Sequence, residues 1–330
     1  MSRIPTSIPA RMTLSALVLS AACGGGRQDT AGETAKADTA TPAAASPATA
    51  PAEARTIGTV KGLQNPESVR WDAEQGVWFV ANVNGNPSEK DNNGYISRLK
   101  ADGSADSLKF VAAGRGKVTL NAPKGMAIVG DTLWVADIDA VRGFNRKTGA
   151  PVASITVPGA KFLNDVTAGP DGVYVTDTGI HFGPGGSMTH PGPDRVFKIA
   201  GRKVTTAMTF KGHPGPNGIT WDSTASRFVM VPMSDSTIVS WAPGDSTPQP
   251  VAKGPPMMDG VEPLGGGRYL VTSWADSSLN LVADGKVTRL AGKIASPADI
   301  GFDRADGKVA VPQLMSTTME LLDVGSVLGQ

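Results

Sequence analysis

The sequence predicts an all-β protein folded as a six-bladed β-propeller, and three observations lead to that prediction. One sequence pattern recurs six times between Asn65 and Ala310: a turn, a short apolar strand, a second turn and a second strand. The copies are spaced by 57, 40, 53, 42 and 39 residues, close to the length of a four-stranded blade. Gly (40 residues) and Pro (25 residues) are abundant, and no long stretch has the 3.6-residue period of a helix. An open β-sandwich is the alternative architecture, and six regular repeats argue against it.

The first strand of each repeat follows a turn led by Pro, Leu or Met, and its second residue is equivalent in all six copies. A closed ring of repeats brings equivalent positions together around one axis. We therefore expect these six side chains to converge on the central channel. They are Glu67, Lys124, Asn164, Asn217, Asp259 and Ala298.

The second strand of each repeat is rich in β-branched and aromatic residues, which favour strands. The six segments are 76–82, 131–137, 172–177, 227–231, 268–272 and 308–311. Hairpin turns are indicated where Asn-Gly or Asp-Gly pairs fall between strands. These pairs lie at 93–94, 102–103, 171–172, 284–285 and 306–307.

The two longest intervals contain insertions rich in Gly and Pro, at 84–93 and 181–194. In a propeller such loops should lie over one end of the channel. An early strand at 56–61 precedes the first repeat. We expect it to complete the last blade and so close the ring.

The N-terminal 22 residues have the features of a secretory signal peptide. Arg3 and Arg11 precede the apolar run 14–19, which ends in small residues before Cys23. That run is too short to span a bilayer. The small residues around Cys23 resemble a bacterial lipobox, although Leu19 stands one place earlier than usual. Cys23 is therefore the predicted lipidation site. The alternative is a free thiol near an ordinary cleavage site.

Residues 23–55 consist of this cysteine and an Ala-, Thr- and Pro-rich segment that lacks apolar residues for a core, so we expect a disordered tether. The propeller then occupies 56–330. Because Gly24 rather than Asp follows Cys23, we expect an exported, lipid-anchored protein of the bacterial cell envelope, at the outer membrane.

The charge balance and the cysteine content limit what the protein can bind and how its fold is stabilised. The chain has 31 Lys and Arg against 30 Asp and Glu, with no basic stripe, so nucleic-acid binding is not expected. A single cysteine rules out an internal disulfide. We expect a monomer that meets a small-molecule substrate and touches the membrane only through its lipid.

Four of the six channel positions carry a side-chain oxygen: Glu67, Asn164, Asn217 and Asp259. Two carboxylates and two amide oxygens suit a hard divalent cation, and Ca²⁺ fits best. Zinc is disfavoured there because no thiolate is available and the chain has only three histidines. Turn chemistry is the alternative explanation. It accounts for Asn217 or Asp259 singly, but not for Glu67 or for the shared register.

Three further residues are candidates for contact with a substrate: Lys124, Phe162 and His181. A bound calcium ion would repel Lys124, so its side chain should lean away and pair with a neighbouring carboxylate, or else meet an anionic substrate. His181 belongs to the insertion that is expected over the channel.

Over about residues 65–324 the chain resembles the senescence marker protein, gluconolactonase and luciferin-regenerating enzyme family, whose relatives include diisopropyl-fluorophosphatase and the paraoxonases. Four motifs carry the resemblance: Glu67-Ser68-Val69-Arg70-Trp71, Asn164-Asp165, Asn217-Gly218-Ile219-Thr220-Trp221 and Asp259-Gly260. The first differs from the family's Glu-Gly-Pro-x-Trp by replacing Gly-Pro with Ser68-Val69.

The resemblance implies one calcium ion in the channel and Asp259 as the catalytic carboxylate, acting as nucleophile or as base toward water. It also implies hydrolysis of a lactone or related ester. Sugar-lactonase members carry an Arg where this chain has Phe162, which speaks against an aldonolactone substrate. The competing hypothesis is a non-catalytic propeller that binds a ligand or protein at the cell envelope.

Overall fold

The computed structural model describes residues 53–329, which form six four-stranded antiparallel sheets arranged as the blades of a propeller. The predicted all-β, six-bladed fold is thus confirmed. The predictions for the signal peptide, Cys23 and most of the tether lie outside the described residues.

The blades follow one another in chain order, and each is listed here from its innermost strand outward. The first has β2 (Pro66–Asp72), β3 (Val77–Asn82), β4 (Tyr95–Lys100) and β5 (Ala105–Ala112); the second has β6 (Pro123–Val129), β7 (Thr132–Asp137), β8 (Ala140–Asn145) and β9 (Pro151–Thr156). The third has β10 (Leu163–Gly169), β11 (Gly172–Asp177), β14 (Arg195–Ala200) and β15 (Lys203–Thr209); the fourth has β16 (Pro216–Asp222), β17 (Arg227–Pro232), β18 (Thr237–Trp241) and β19 (Gln249–Lys253). The fifth has β20 (Met258–Gly265), β21 (Arg268–Ser273), β22 (Ser278–Ala283) and β23 (Lys286–Ala291); the sixth has β24 (Gly301–Asp303), β25 (Lys308–Pro312), β26 (Thr318–Asp323) and β1 (Arg55–Lys61).

The ring closes in two places. On the outside, β1 pairs antiparallel with β26, so the first strand completes the last blade as the sequence predicts. On the inside, the first and last blades are joined by backbone hydrogen bonds: Asp299 N donates to Glu67 O at 2.9 Å, and Val69 N donates to Asp299 O at 3.1 Å. The early strand is therefore a structural part of the ring.

The hydrophobic core is divided among the interfaces between blades. Six clusters of buried side chains each join two neighbouring blades, and together they cover all six interfaces of the ring. The cluster between the sixth and first blades contains Val69, Trp78 and Met319. Because each sheet is covered on both faces, its strands lack the strict polar alternation of a half-exposed sheet.

Both insertions lie over one end of the channel, as predicted. The third-blade insertion contains a small hairpin, β12 (His181–Phe182) and β13 (Met188–Thr189), joined by a 3₁₀ turn at Pro184–Gly186. Phe182 N donates to Ser88 Oγ in the first-blade insertion at 2.9 Å. A short C-terminal helix, α1 (Gly325–Leu328), follows the last strand. No helix among residues 53–329 is long and apolar enough to cross a membrane.

Candidate functional site

A β-bulge at the start of the innermost strand recurs in five blades. The register of β2, β6, β10, β16 and β20 against the second strand of the same blade shifts between the first residue and the third or fourth. A bulge bends its strand and re-aims the side chains of the extra residues. The second residue of each inner strand lies at this point, and this is where the chain departs from ordinary strand geometry.

The turns before these bulges are held by polar side chains at the ends of the second strands. Asp137 Oδ1 accepts from the backbone N–H groups of Asn121 and Ala122 at 3.0 and 2.9 Å. In the third blade, Asp177 accepts from Lys161 and Phe162 in the same way. Asn82 serves the first blade through a 2.9 Å bond from Gln64 N. These contacts fix the backbone immediately before the channel residues.

The predicted channel residues meet in one cavity of about 620 Å³. Glu67, Asn164, Asn217 and Asp259 all line it, together with Lys124 and Phe162. The sixth position, Ala298, is buried just before β24. The structure therefore brings together the four oxygen-bearing side chains on which the sequence-based metal site depends.

The two carboxylates are deeply buried and incompletely paired. Glu67 is 5% exposed and Asp259 is 3% exposed. Trp274 Nε1 donates to Asp259 Oδ2 at 2.9 Å, but Asp259 Oδ1 and Glu67 Oε2 have no hydrogen-bond partner among residues 53–329. Burial, with repulsion from Asp299, raises the pKa of Asp259 to about 8. Burial and the nearby Asp259 raise the pKa of Glu67 well above its usual range.

The two asparagine amides are anchored by their nitrogens. Asn164 Nδ2 donates to Thr178 Oγ1 at 3.0 Å, and Asn217 Nδ2 donates to Met258 O at 3.2 Å. Thr178 Oγ1 in turn donates to Pro216 O at 2.9 Å. Each amide thus has a fixed orientation, and its oxygen is the atom left for a ligand.

Lys124 lies in the cavity without the carboxylate partner that was one of its two expected roles, and the other role, contact with an anionic substrate, stays a prediction. Lys124 is 1% exposed, and none of the salt bridges among residues 53–329 includes it. Its Nζ donates to Ala122 O at 3.0 Å and lies 4.2 Å from the centroid of the Phe162 ring. Burial lowers the pKa of Lys124 to about 8, although Glu67 and Asp137 oppose that shift.

His181 is exposed and does not line the cavity, so the expectation of a substrate contact is not supported by its position. Side chains alternate along a strand, and the neighbours of His181 on either side, Ile180 and Phe182, do line the cavity. The insertion roofs the channel as predicted, but with the side chains next to the histidine.

A second layer of ionisable groups lies on the inner strands, one and three residues after the channel positions. The sequence analysis missed this layer. Ser68 Oγ donates to Asp299 Oδ2 at 2.6 Å, and Arg70 lies between Asp299 and Glu262. Burial raises the pKa of Glu262 to about 7 against the opposing charge of Arg70. Asp165 accepts from Val166 N and Ile219 N. The repeat alignment contained a signal, because two of the six third positions are aspartates.

The outer part of the cavity is apolar. Its lining includes four methionines and several other apolar side chains from the insertions and from loops of the fourth to sixth blades. They are Met188, Met233, Met257, Met315, Ile180, Phe182, Leu314 and Trp274. Met315 is 74% exposed. The site thus has a polar, acidic floor and a hydrophobic mouth.

Comparisons with known proteins support the fold. Neither a protein-family profile nor a curated protein sequence matches the chain. A provisionally assigned gluconolactonase superposes with a TM-score of 0.61 at 16% identity, over 83% of this chain and 93% of that one. Virginiamycin B lyase from Staphylococcus aureus, solved as a catalytically inactive variant with quinupristin, gives 0.55 at 14% identity over 81% and 98%.

A chain of the nidogen/laminin complex gives a TM-score of 0.53 at 14% identity, over 68% of this chain and 78% of that one. An enzyme and a member of a protein–protein complex are therefore both similar to this chain in architecture. Since one fold serves many functions, the activity of a protein with so low a sequence identity cannot be assigned to this chain. The superpositions establish that the chain has the six-bladed β-propeller fold.

Proposed function

We propose that this protein is a calcium-dependent hydrolase of a lactone or related ester. The observation that carries the proposal is a pair of buried carboxylate oxygens in one cavity, Glu67 Oε2 and Asp259 Oδ1, that have no hydrogen-bond partner within the described part of the chain. Buried polar atoms without partners are rare and costly. A cation bound between them would satisfy both.

The charge balance of the channel also favours a cation. Five carboxyl groups lie in or beneath the cavity, against three cationic groups: Arg70, Lys124 and, next to Glu262, Arg304. The five are Glu67, Asp165, Asp259, Glu262 and Asp299, and burial raises the pKa of each. Repulsion among close carboxylates favours either protonation or a bound metal ion. Asn164 and Asn217 add neutral oxygens of the kind that calcium accepts.

When bound, calcium would supply Lewis-acid polarisation of a carbonyl oxygen. The protein's own contribution centres on Asp259. Trp274 donates to Oδ2 of this carboxylate, which leaves Oδ1, among residues 53–329, as the oxygen without a hydrogen-bond partner. Asp259 would act as a nucleophile or as a base toward water. Lys124, with a pKa of about 8, can hold or release a proton at Nζ near neutral pH.

The apolar mouth narrows the class of substrate. Phe162 packs against Phe182 of the insertion, with ring centroids 5.7 Å apart. The charged residues of the cavity lining are Glu67, Lys124 and Asp259, and most of the remaining lining is apolar. Such a lining favours an apolar substituent and disfavours a polyhydroxylated sugar acid. We therefore propose an ester or lactone that carries an aliphatic or aromatic substituent.

A binding propeller without catalysis is the second candidate. The exposed methionines at the mouth favour it, because flexible, methionine-rich surfaces are common where proteins bind apolar partners. In that case the channel cation would have a structural role only.

The distinguishing experiment measures hydrolysis of a panel of acyl lactones and aryl esters in calcium, after EGTA treatment and after calcium is restored. We expect activity that EGTA removes and calcium restores. Asp259→Asn keeps an oxygen and the side-chain shape, so part of the calcium binding should survive. Hydrolysis should nevertheless fall at least about a hundredfold.

Asp284→Asn is the matched control. It makes the same chemical change in an exposed turn whose φ of 51° suits asparagine. If Asp259→Asn hydrolyses as fast as the parent, the catalytic role of Asp259 is wrong. Calcium-dependent stability without hydrolysis of any substrate would favour the binding propeller.

A further inference from the structure

Two of the three histidines in the chain meet a buried aspartate at the edge of the third-blade insertion. Asp194 directly precedes β14 and is fully buried, His190 lies four residues earlier, and His213 lies in the loop between β15 and β16. One ligand atom from each residue lies within 4.8 Å of the other two. None of the three lines the channel cavity.

The two imidazoles lie close to the same carboxylate oxygen, Asp194 Oδ1. His190 Nε2 is hydrogen-bonded to Asp194 Oδ1, and His213 Nδ1 lies 3.5 Å from that oxygen. The two rings are 4.3 Å apart between centroids. Ligands held about 2.1 Å from a tetrahedral ion are roughly 3.4 Å from one another. The His213–Asp194 separation already has this value, whereas the hydrogen-bonded His190 Nε2 would have to move away from Oδ1 to admit an ion.

The surroundings of the cluster are built to hold the aspartate in place. Asp194 Oδ2 accepts from Gly215 N at 2.6 Å, so the backbone orients the carboxylate and leaves Oδ1 for the histidines. On the other side is Gly179, where a Cβ atom would lie 2.8 Å from both Asp194 Oδ1 and His190 Nε2. Its φ of +70° also favours glycine. A side chain at this position would fill the space next to the ligand atoms.

We propose that His190, Asp194 and His213 form a second metal site, separate from the channel and specific for a divalent transition-metal ion, with zinc as the expected occupant. Two imidazole nitrogens and one carboxylate oxygen match the ligand types of zinc, whereas calcium and magnesium take oxygen alone. Water would fill the remaining coordination position.

Such an ion would hold the third-blade insertion in place over the cavity. His190 lies just beyond β13, in the insertion that places Phe182 and Met188 over the channel, and His213 belongs to the neighbouring loop. A metal bridging them would tie the insertion to the body of the propeller. The site would thus set how firmly the insertion covers the cavity.

The test is a zinc titration of the full chain by isothermal titration calorimetry in excess calcium, so that the channel is already saturated. We expect one zinc equivalent to bind. His213→Ala should lower the affinity at least about tenfold, since a lost ligand costs no less than a lost second-shell contact. Zinc should also slow chymotrypsin cleavage within 181–194. Cobalt should give visible absorption bands in the parent that are lost in the variant.

His181→Ala is the matched control, because His181 is an exposed histidine of the same insertion outside the cluster. Its zinc affinity should equal that of the parent. His213 is largely exposed, so its replacement should leave folding intact, which circular dichroism would check. Absence of zinc and cobalt binding to the parent would overturn the proposal. So would zinc binding that is unchanged in His213→Ala.

Discussion

The carboxyl groups of Asp259 and Glu67 can each exist in a protonated state or in an ionised, cation-bound state. Each carboxylate is withdrawn from water, and one oxygen of each has no hydrogen-bond partner in the region 53–329 that the structure describes. Without a cation, the less costly state of such a group is the protonated one. With a cation, the ionised state is favoured instead. Metal binding at these residues should therefore be coupled to proton release.

This coupling predicts a pH dependence of stability. The pKa of Asp259 is about 8 in the folded protein, against about 4 for an unfolded aspartate. Between these values the folded state holds a proton that the unfolded chain has lost. The free energy of unfolding in EGTA should therefore fall as the pH rises from about 4 to about 8. Lys124, whose pKa is also about 8, has the opposite effect only above that pH.

The measurement is the melting temperature at pH 5, 6, 7 and 8, with EGTA and with calcium. The stabilisation by calcium should grow with pH, and Asp259→Asn should flatten the slope seen in EGTA. Asp284→Asn should keep the parental slope. A melting temperature in EGTA that does not change between pH 5 and 8 would contradict the assignment.

Sequence reasoning placed the four oxygen-bearing residues correctly because repeat alignment fixes the position of a residue around the axis. It could not place the surroundings of Lys124. Whether an amine meets a carboxylate, a carbonyl or an aromatic ring depends on rotamers and on backbone atoms two residues away. Whether His181 faces the cavity or the solvent depends on the hairpin β12–β13, whose strands have only two residues each. Sequence patterns do not predict so short a hairpin.

At the scale of the single strand, the start of β6 shows why glycine follows the channel residue. A Cβ atom at Gly125 would overlap the Cα and Oδ1 of Asp165 in the neighbouring blade. Glycine therefore allows the inner strands of the second and third blades to approach each other. The close approach brings Lys124 and Asn164 to the same cavity.

We predict that Gly125→Ala destabilises the protein by about 2–3 kcal/mol, since overpacking a filled interior forces backbone shifts. The matched control is Gly58→Ala in β1, where an added Cβ would meet only Leu321 Cδ1 at 3.8 Å. Urea unfolding in saturating calcium would compare the two variants. Equal stability of Gly125→Ala and Gly58→Ala would show that the close approach does not constrain the fold.

The strands themselves were largely predictable, and the irregular elements were not. The predicted segments 172–177 and 227–231 correspond to β11 and β17 within one residue at each end. β-Branched residues and turn pairs carry that signal locally. The hairpin β12–β13 and helix α1 are too short to have a periodic pattern. Their conformation depends on tertiary contacts that no local signal reports.

For the whole molecule, stability is distributed around the ring. Each of the six core clusters belongs to two blades, so no blade has a complete core of its own. Loss of one blade would expose two interfaces. We therefore expect the propeller to unfold as one cooperative unit.

Removing β1 should test the closure of the ring. A chain that begins at Gly62 leaves β26 as a free edge and loses the antiparallel ladder of six residue pairs, in which each hydrogen bond is worth roughly 1 kcal/mol. Its melting temperature should be at least about 10 °C below that of a chain beginning at Glu53. Free strand edges also promote association, so light scattering should detect oligomers. Equal melting temperatures and a monomeric state would mean that β1 is dispensable.

The pairing of the first strand with the last also has a consequence in time. Thr59 pairs with Glu320, which lies 261 positions later in the chain. The ribosome makes β1 first but must finish almost the whole chain before β1 finds its neighbour. Until then the nascent polypeptide has unfinished edges that holding factors would have to shield. Contacts so distant in sequence form slowly. By the same topology, the finished ring can open at this seam only by separating its two chain ends, which favours a long native lifetime once assembly is complete.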